Sequence, residues 1–140
     1  MKIVINKCFG GFSLSYAGVM EYARRKKMKL YAYQNARDYN NDIINFCKYI
    51  PWDGVGREPL LLFYSTTPAV DGKLDDNAHF SDRDIPRDDP SLVATVKALG
   101  AKANGSFANL KIVTVPDGTD WEISEYDGLE HVAQKHKTWG

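Results

Sequence analysis

The chain has 140 residues and carries 18 basic and 18 acidic side chains, so its formal net charge is zero. This length suits a single globular domain over residues 1–140 and excludes two full domains. The aromatic content of 12% argues against disorder, and the even charge balance argues against a generic nucleic-acid coat or a polybasic membrane binder.

Cysteine usage and the N-terminal residues predict the compartment. Cys8 and Cys47 are too few for a disulfide-stapled secreted scaffold. The apolar run within residues 1–6 is too short for a signal peptide, and no segment approaches the ~20 apolar residues of a membrane span. We therefore expect a cytoplasmic protein with reduced thiols, no cofactor and no membrane partner.

The first quarter of the chain predicts a strand, a turn, a helix and a second strand. The β-branched run in residues 2–6 is typical of a strand covered on both faces. Apolar residues at helical spacing predict a helix over residues 16–27, capped by Ser13 or Ser15. Residues 29–34 predict the second strand, and the strand–helix–strand order favours a parallel pair.

The middle of the chain is less regular. Residues 35–58 leave a choice between a short helix and a short strand, whereas residues 60–66 predict a strand. Residues 67–90 are rich in Asp, Pro and Gly and predict a long polar loop, a feature that is often functional. The Asp-Pro pair at 89–90 predicts the start of a second helix, which ends at Gly100.

The C-terminal region predicts further strands. Residues 110–116 form an apolar strand ended by proline, and the alternation over residues 121–126 indicates a strand with one wet face. We expect residues 116–120 to form the hairpin loop between them and residues 129–135 to form one or two helical turns. Together, the predicted elements indicate an α+β (or α/β) domain with a mixed sheet of about five strands and two to three helices.

The first candidate ligand site is the loop between the first strand and the first helix. Glycines let a backbone come close to a ligand, and free amides at a helix start attract anions. No Walker or dinucleotide fingerprint accompanies the glycine pair, so a purely structural turn is the alternative. The residues of this candidate are Cys8, Phe9, Gly10, Gly11, Phe12 and Ser13.

Two arginines and a C-terminal block complete the candidate binding residues. Arg83 and Arg87 alternate with aspartates, and an arginine fork can hold a phosphate or carboxylate at two points. It can equally form exposed pairs with the neighbouring aspartates. The aromatic and acidic block that includes Tyr126 and His136 is a candidate pocket wall or subunit interface.

Neither a metal site nor a complete catalytic set is recognisable. His131 and His136 are five residues apart, a spacing that turns them roughly 140° from each other on a helix. As a general base, either would need a carboxylate partner such as Glu125, Asp127 or Glu130. We therefore assign no catalytic residue and no metal.

Three stretches together resemble a family of short proteins encoded by tailed bacteriophages and prophages. They are residues 7–15, the run from Arg87 to Val93, and residues 110–139; residues 35–80 are not covered. The resemblance implies an accessory protein that works inside an infected bacterium, and it carries over no catalytic residue. By class-level analogy, one strategy of such proteins is an oligomeric sponge that sequesters a nucleotide-derived immune signal.

The leading hypothesis is a homo-oligomeric binding protein that holds a small anionic, nucleotide-like ligand. A second hypothesis is a hydrolase that acts on a nucleotide-like substrate, which a released product would reveal. A third is a protein that blocks a host protein and uses the acidic residues 71–89 as a decoy surface. Pull-down from a bacterial lysate would test the third.

Overall fold

The computed structural model describes residues 1–37, 43–49 and 62–135. Within these ranges the chain forms two α-helices, three short 3-10 turns and eight strands, which confirms the predicted α+β class. The helices are α1 (Tyr16–Arg25) and α2 (Pro90–Leu99). The strands are β1 (Lys2–Asn6), β2 (Tyr31–Arg37), β3 (Ile43–Lys48), β4 (Phe63–Ser65), β5 (His79–Phe80), β6 (Leu110–Thr114), β7 (Trp121–Tyr126) and β8 (Leu129–Gln134).

The strands form three small sheets instead of the single mixed sheet of about five strands that we expected. β1 pairs with β6, β7 pairs with β8, and the third sheet has the order β3-β2-β4-β5. Every strand pair in the described ranges is antiparallel, and β1 and β2 lie in different sheets, so the predicted parallel pair is wrong. The distant run Leu110–Thr114 supplies β1 with an antiparallel partner, placing Val4 opposite Ile112.

The C-terminal region is a hairpin, which corrects two predictions. The residues expected to form helical turns form β8, and β8 pairs with β7 from Trp121↔Gln134 to Tyr126↔Leu129. The turn is Asp127-Gly128, and both residues have positive φ, 48° and 86°, as a two-residue type I′ turn requires. Residues 116–120 are therefore not a hairpin loop, because β6 and β7 pair with other strands.

The polar segment 67–90 contains short elements and is not structureless. Two 3-10 turns, Asp76–Ala78 and Asp82–Asp84, flank β5, and the side chains of Asp75 and Ser81 cap them. For residues 35–58, the sequence leaves a choice between a short helix and a short strand. The described part of this range contains β3, which is a strand. The remainder of that prediction lies outside the described residues.

The core lies between the two helices and the inner faces of the sheets. The side chains of Ile3, Val4 and Ile5 are almost completely buried, as expected for a strand covered on both faces. The buried cluster continues through Val19 and Ala23 of α1, Ala32 of β2, Tyr64 of β4, and Leu92, Val93 and Val96 of α2. Among the described helices, none is long and apolar enough to cross a membrane.

A polar cluster joins the two helices at the start of α2. Asp89 caps α2 by accepting the N–H of Ser91 at 2.8 Å, and it also accepts the hydroxyl of Tyr22 at 2.9 Å. Lys26 Nζ lies 3.2 Å from the same carboxylate. Burial alone would raise the pKa of Asp89, but these three donors outweigh it and hold that pKa below its ordinary value. Burial and the bond to Asp89 raise the pKa of Tyr22 to about 12.

We expect Asp89→Ala to lower the free energy of unfolding by about 2 kcal/mol, because it removes a helix cap and a buried hydrogen bond. Asp89→Asn keeps a capping oxygen and should cost less. Denaturant unfolding of the two variants and the unmodified chain at neutral pH measures both effects. Equal stability of Asp89→Ala and the unmodified chain would contradict the role of this cluster.

The same cluster predicts the pH dependence of stability. The folded pKa of Asp89 lies below its ordinary value of 3.8, so its contribution is present above that pH and is lost as the pH falls. The folded pKa of Tyr22 is raised from 10.0 to about 12, so its contribution is complete below pH 10 and is lost as the pH rises toward 12. Tyr22→Phe should flatten the alkaline limb, and Asp89→Asn should flatten the acid limb. An alkaline limb unchanged in Tyr22→Phe would refute the assignment.

Candidate functional site

An open cleft of about 450 Å³ lies where the N-terminal end of α1 meets β4 and β5. This volume is in the range of about 300–1,000 Å³ typical of small-molecule sites. One part of its wall is aromatic, formed by Tyr16, Phe63, Tyr64 and Phe80. The other part is polar, formed by Ser13, His79, Ser81, Asp82, Arg83 and Ser106. The cleft therefore combines flat apolar surface with hydrogen-bonding and charged groups.

The 3-10 turn Asp82–Asp84 positions the charged groups of the cleft. Ser81 starts the turn by accepting the N–H of Arg83 at 3.3 Å. Asp82 Oδ2 accepts the N–H of Leu14 at 2.8 Å, so this carboxylate fixes the segment that enters α1. Arg83 is exposed and forms no ion pair within the described part of the chain. Its guanidinium is therefore available to an anionic ligand.

The aromatic part of the wall is anchored in the core. Phe80 of β5 lies opposite Tyr64 of β4, and their rings meet edge to face with centroids 6.5 Å apart. Phe80 also packs against Tyr22 of α1 at 6.1 Å. The neighbouring sheet and helix therefore hold the ring of Phe80 in place on the cleft wall.

Close packing of two backbone segments fixes the serine at the rim of the cleft. Gly105 donates its N–H to the carbonyl of Ser13 at 3.0 Å. A Cβ at Gly105 would overlap Ser13 Oγ, so only glycine fits there. Ser15, the cap of α1, receives the same kind of support, because its hydroxyl donates to the carbonyl of Lys102 and accepts the N–H of Gly18.

The rest of the predicted ligand loop, residues 8–12, packs on the protein itself. A Cβ at Gly10 would overlap the carbonyl oxygen of Phe107, and a Cβ at Gly128 would overlap the backbone nitrogen of Gly11. The close approach that the glycine pair permits is thus between this loop and two other segments of the chain. It needs no ligand to explain it.

Arg87 is engaged inside the fold. Its Nη1 and Nη2 donate to the two carboxylate oxygens of Glu130 at 2.6 and 2.9 Å, and its guanidinium stacks 3.7 Å from the ring centre of Phe12. Glu130 also accepts the N–H of Asn6 at 2.8 Å. The two charged side chains are only 17% and 6% exposed. This arrangement is a charge-balanced junction between β1, β8 and the segment before α2.

The structure thus brings two of the predicted binding residues, Ser13 and Arg83, into one cleft and places the others elsewhere. Phe12 and Arg87 form the buried junction, Cys8 is half-buried near it, and Phe9 and Tyr126 are exposed. Gly10 and Gly11 pack on neighbouring loops. His136 lies outside the described residues. The cleft residues that the sequence patterns did not single out are mainly Tyr16, Phe63, Tyr64 and His79.

The histidine and carboxylates considered for hydrolysis are not assembled in the described part of the chain. His131 lies exposed on β8 opposite Ser124, and strand alternation turns it away from its neighbour Glu130, which Arg87 holds. Glu125 accepts the N–H of Gly128 at 3.1 Å. Within the described ranges, no group of three or more His, Cys, Asp or Glu could hold a metal ion.

Comparison of the chain with protein-family models, with curated proteins and with solved structures finds no match. A function for this protein is therefore inferred from the cleft and its chemistry.

We expect Glu130→Ala to lower the free energy of unfolding by about 3–5 kcal/mol, because it leaves Arg87 buried without a partner and the N–H of Asn6 unsatisfied. Glu130→Gln keeps an acceptor and should cost less, and the exposed Glu122→Gln on β7 is the matched control. Denaturant unfolding measures all three. If Arg87→Ala were as stable as the unmodified chain but failed to bind a ligand, Arg87 would be a binding residue and not a structural one.

Proposed function

We propose that this protein binds a small anionic ligand that carries an aromatic ring, of the nucleotide-like class, in the cleft beside α1. The observation that supports this most strongly is the juxtaposition of Arg83 with an aromatic wall. Its guanidinium has no ion-pair partner in the described residues, and guanidinium groups bind phosphate oxygens through paired hydrogen bonds. The rings beside it offer a surface on which a base can stack.

The polar rim supplies the remaining contacts in this proposal. Ser13, Ser81 and Ser106 line the cleft together with Arg83, and a serine hydroxyl can donate to a phosphate oxygen. Asp82 uses Oδ2 for the N–H of Leu14, and its other oxygen remains an acceptor for a hydroxyl or amino group of the ligand. An aromatic ligand with an anionic end and a donor group would satisfy this wall.

Sequestration without turnover is the mode of action that the cleft supports best. Among the residues that the structure describes, His79 is the one histidine on the cleft wall, and no hydrogen bond from another side chain in these ranges orients its imidazole. Histidine bases in catalysis are normally oriented by a third group. We therefore place hydrolysis of the ligand second, with His79 as the base that it would require.

The resemblance to phage proteins gives the ligand a biological class. We propose that a homo-oligomer of this chain holds a nucleotide-derived signal of host defence in the cytoplasm of the infected bacterium. The formal net charge of zero is compatible with this role, because one local guanidinium is enough to anchor a small anion. Blocking of a host protein through the acidic residues 71–89 is a separate hypothesis, which pull-down from a bacterial lysate would test.

We expect Arg83→Gln to weaken ligand binding by about tenfold or more, because a hydrogen bond to a charged group contributes about 1.5–3 kcal/mol. Thermal shift and calorimetry with adenosine monophosphate, ADP-ribose and cyclic dinucleotides measure the effect. Arg24→Gln is the matched control. Arg24 is an exposed arginine that lies about 12 Å along the axis of α1 from Tyr16, which lines the cleft.

The ligand recovered after denaturation distinguishes sequestration from turnover. Sequestration predicts an intact ligand, recovered from the unmodified chain and from His79→Ala alike. A released product that disappears in His79→Ala would support the hydrolase instead. If no compound of this class raises the melting temperature, or if Arg83→Gln and Arg24→Gln behave alike, the proposed site is refuted.

A further inference from the structure

A second, smaller cavity of about 240 Å³ adjoins the cleft, and we call it the second compartment. Phe63, Tyr64 and His79 line both spaces, so the two share one wall. Its volume lies below the lower end, ~300 Å³, of complete small-molecule sites, which favours a space that receives one part of a ligand. Its remaining lining residues are Phe46, Ser65, Leu74, Asp75 and Asp76.

Strand alternation determines which side of the sheet carries the second compartment. In β4, Phe63 and Ser65 are two residues apart and share one face, and His79 of β5 lies opposite Ser65 on that face. Tyr64 and Phe80 alternate to the other face, where Phe80 packs against α1. The second compartment therefore lies along the face of the sheet opposite α1.

Two hydrogen bonds hold the chain between β4 and β5 over this face. Phe46 of β3 donates its N–H to the carbonyl of Gly72 at 2.7 Å, and Ala69 donates its N–H to the hydroxyl of Tyr33 at 2.7 Å. Phe46 also meets Phe63 edge to face, with ring centroids 5.0 Å apart. The chain between these strands is therefore fixed beside two aromatic rings, which offer a flat surface to a base.

Two carboxylates on the wall of the second compartment have acceptor oxygens to spare. Asp75 accepts the N–H of Asn77 with Oδ1 at 2.9 Å, and its Oδ2 has no hydrogen bond or ion pair to any residue that the structure describes. Within the same ranges, the carboxylate of Asp76 has no such partner either. Both side chains are exposed, so a ligand can reach them. Because an ionised carboxylate only accepts hydrogen bonds, the ligand must present N–H or O–H groups here.

A buried hydroxyl adds one donor to this wall. Ser65 is only 1% exposed, and its Oγ accepts the N–H of Thr67 at 3.2 Å. Its hydroxyl hydrogen has no acceptor in the part of the chain that the structure describes. Buried polar groups that lack a partner are uncommon in folded proteins. The hydroxyl of Ser65 therefore indicates a ligand atom that accepts a hydrogen bond.

We infer that the second compartment binds the base of a guanine nucleotide whose phosphate is held by Arg83. The edge of guanine presents a carbonyl oxygen, a ring N–H and an amino group side by side. This order matches the hydroxyl of Ser65 and the carboxylates of Asp75 and Asp76. Adenine places an acceptor nitrogen beside its amino group, and that nitrogen would face a carboxylate with no proton between them. The base lies against Phe63, which both spaces share. This inference rests on the proposed function, because it names the base of the ligand bound in the cleft.

Calorimetric titration of the full chain with guanosine, inosine and adenosine monophosphates tests this inference. Guanosine monophosphate should bind about tenfold or more tightly than adenosine monophosphate, because only guanine donates two hydrogen bonds to carboxylates. Inosine monophosphate keeps the ring N–H but lacks the amino group, so its affinity should lie between the two. Equal affinities that Arg83→Gln weakens alike would overturn the guanine assignment and leave the anion site standing. A chain that binds none of the three refutes both.

The double substitution Asp75→Asn with Asp76→Asn tests whether these carboxylates recognise guanine. It should remove the preference for guanosine over adenosine monophosphate, and asparagine at position 75 can still cap the turn at Asn77. Asp71→Asn with Asp88→Asn is the matched control, since it removes the same charge from exposed positions outside both spaces. Asparagine also suits the positive φ of Asp71, 52°. Because both pairs change the attraction for an anion alike, the ratio of the two affinities isolates the base. A ratio that the first pair leaves unchanged, or that both pairs lower equally, contradicts the inference.

Discussion

The buried ion pair between Glu130 and Arg87 is the interaction on which the arrangement of the chain depends. Placing a carboxylate in the interior is unfavourable unless its charge and its lone pairs are matched. Here Arg87 matches the charge with two hydrogen bonds, and the backbone of Asn6 supplies a third donor. The ring of Phe12 covers the guanidinium. These contacts tie β8 to β1 and to the segment that begins α2, so the hairpin and the loop before α1 are positioned together.

The same junction distinguishes the two arginines that precede α2. Arg87 is neutralised and covered, whereas Arg83, four residues earlier on an exposed 3-10 turn, has no ion pair to any residue that the structure describes. One carboxylate oxygen of the adjacent Asp82 accepts the backbone N–H of Leu14, and this hydrogen bond links the turn to the segment that enters α1. The two arginines look equivalent in the sequence because both alternate with aspartates. Their different burial gives Arg87 a structural role and leaves the guanidinium of Arg83 in contact with solvent.

Local signals predicted the elements well, and distant pairings could not be predicted. The Asp-Pro start of α2 and the β-branched β1 depend on neighbouring residues, and the structure confirms them. For the cap of α1 the sequence allows Ser13 or Ser15, and the structure shows Ser15. The partner of β1 lies more than 100 residues away, and the bond between Asn6 and Glu130 spans 124 residues. In β8, residues with good helix propensity form a strand because the Asp-Gly turn pairs them with β7. The Arg87–Glu130 pair and the aromatic wall of the cleft likewise arise only when separate elements meet.

Two segments carry both the rim of the cleft and two exposed phenylalanines. Ser13 and Ser106 line the cleft, and Phe9 and Phe107 lie four and one positions away on the same loops. One glycine on each loop permits this arrangement, because a Cβ at Gly10 would overlap Phe107 and a Cβ at Gly105 would overlap Ser13. The rim of the cleft is therefore held by contact between these two loops, which belong to the same chain.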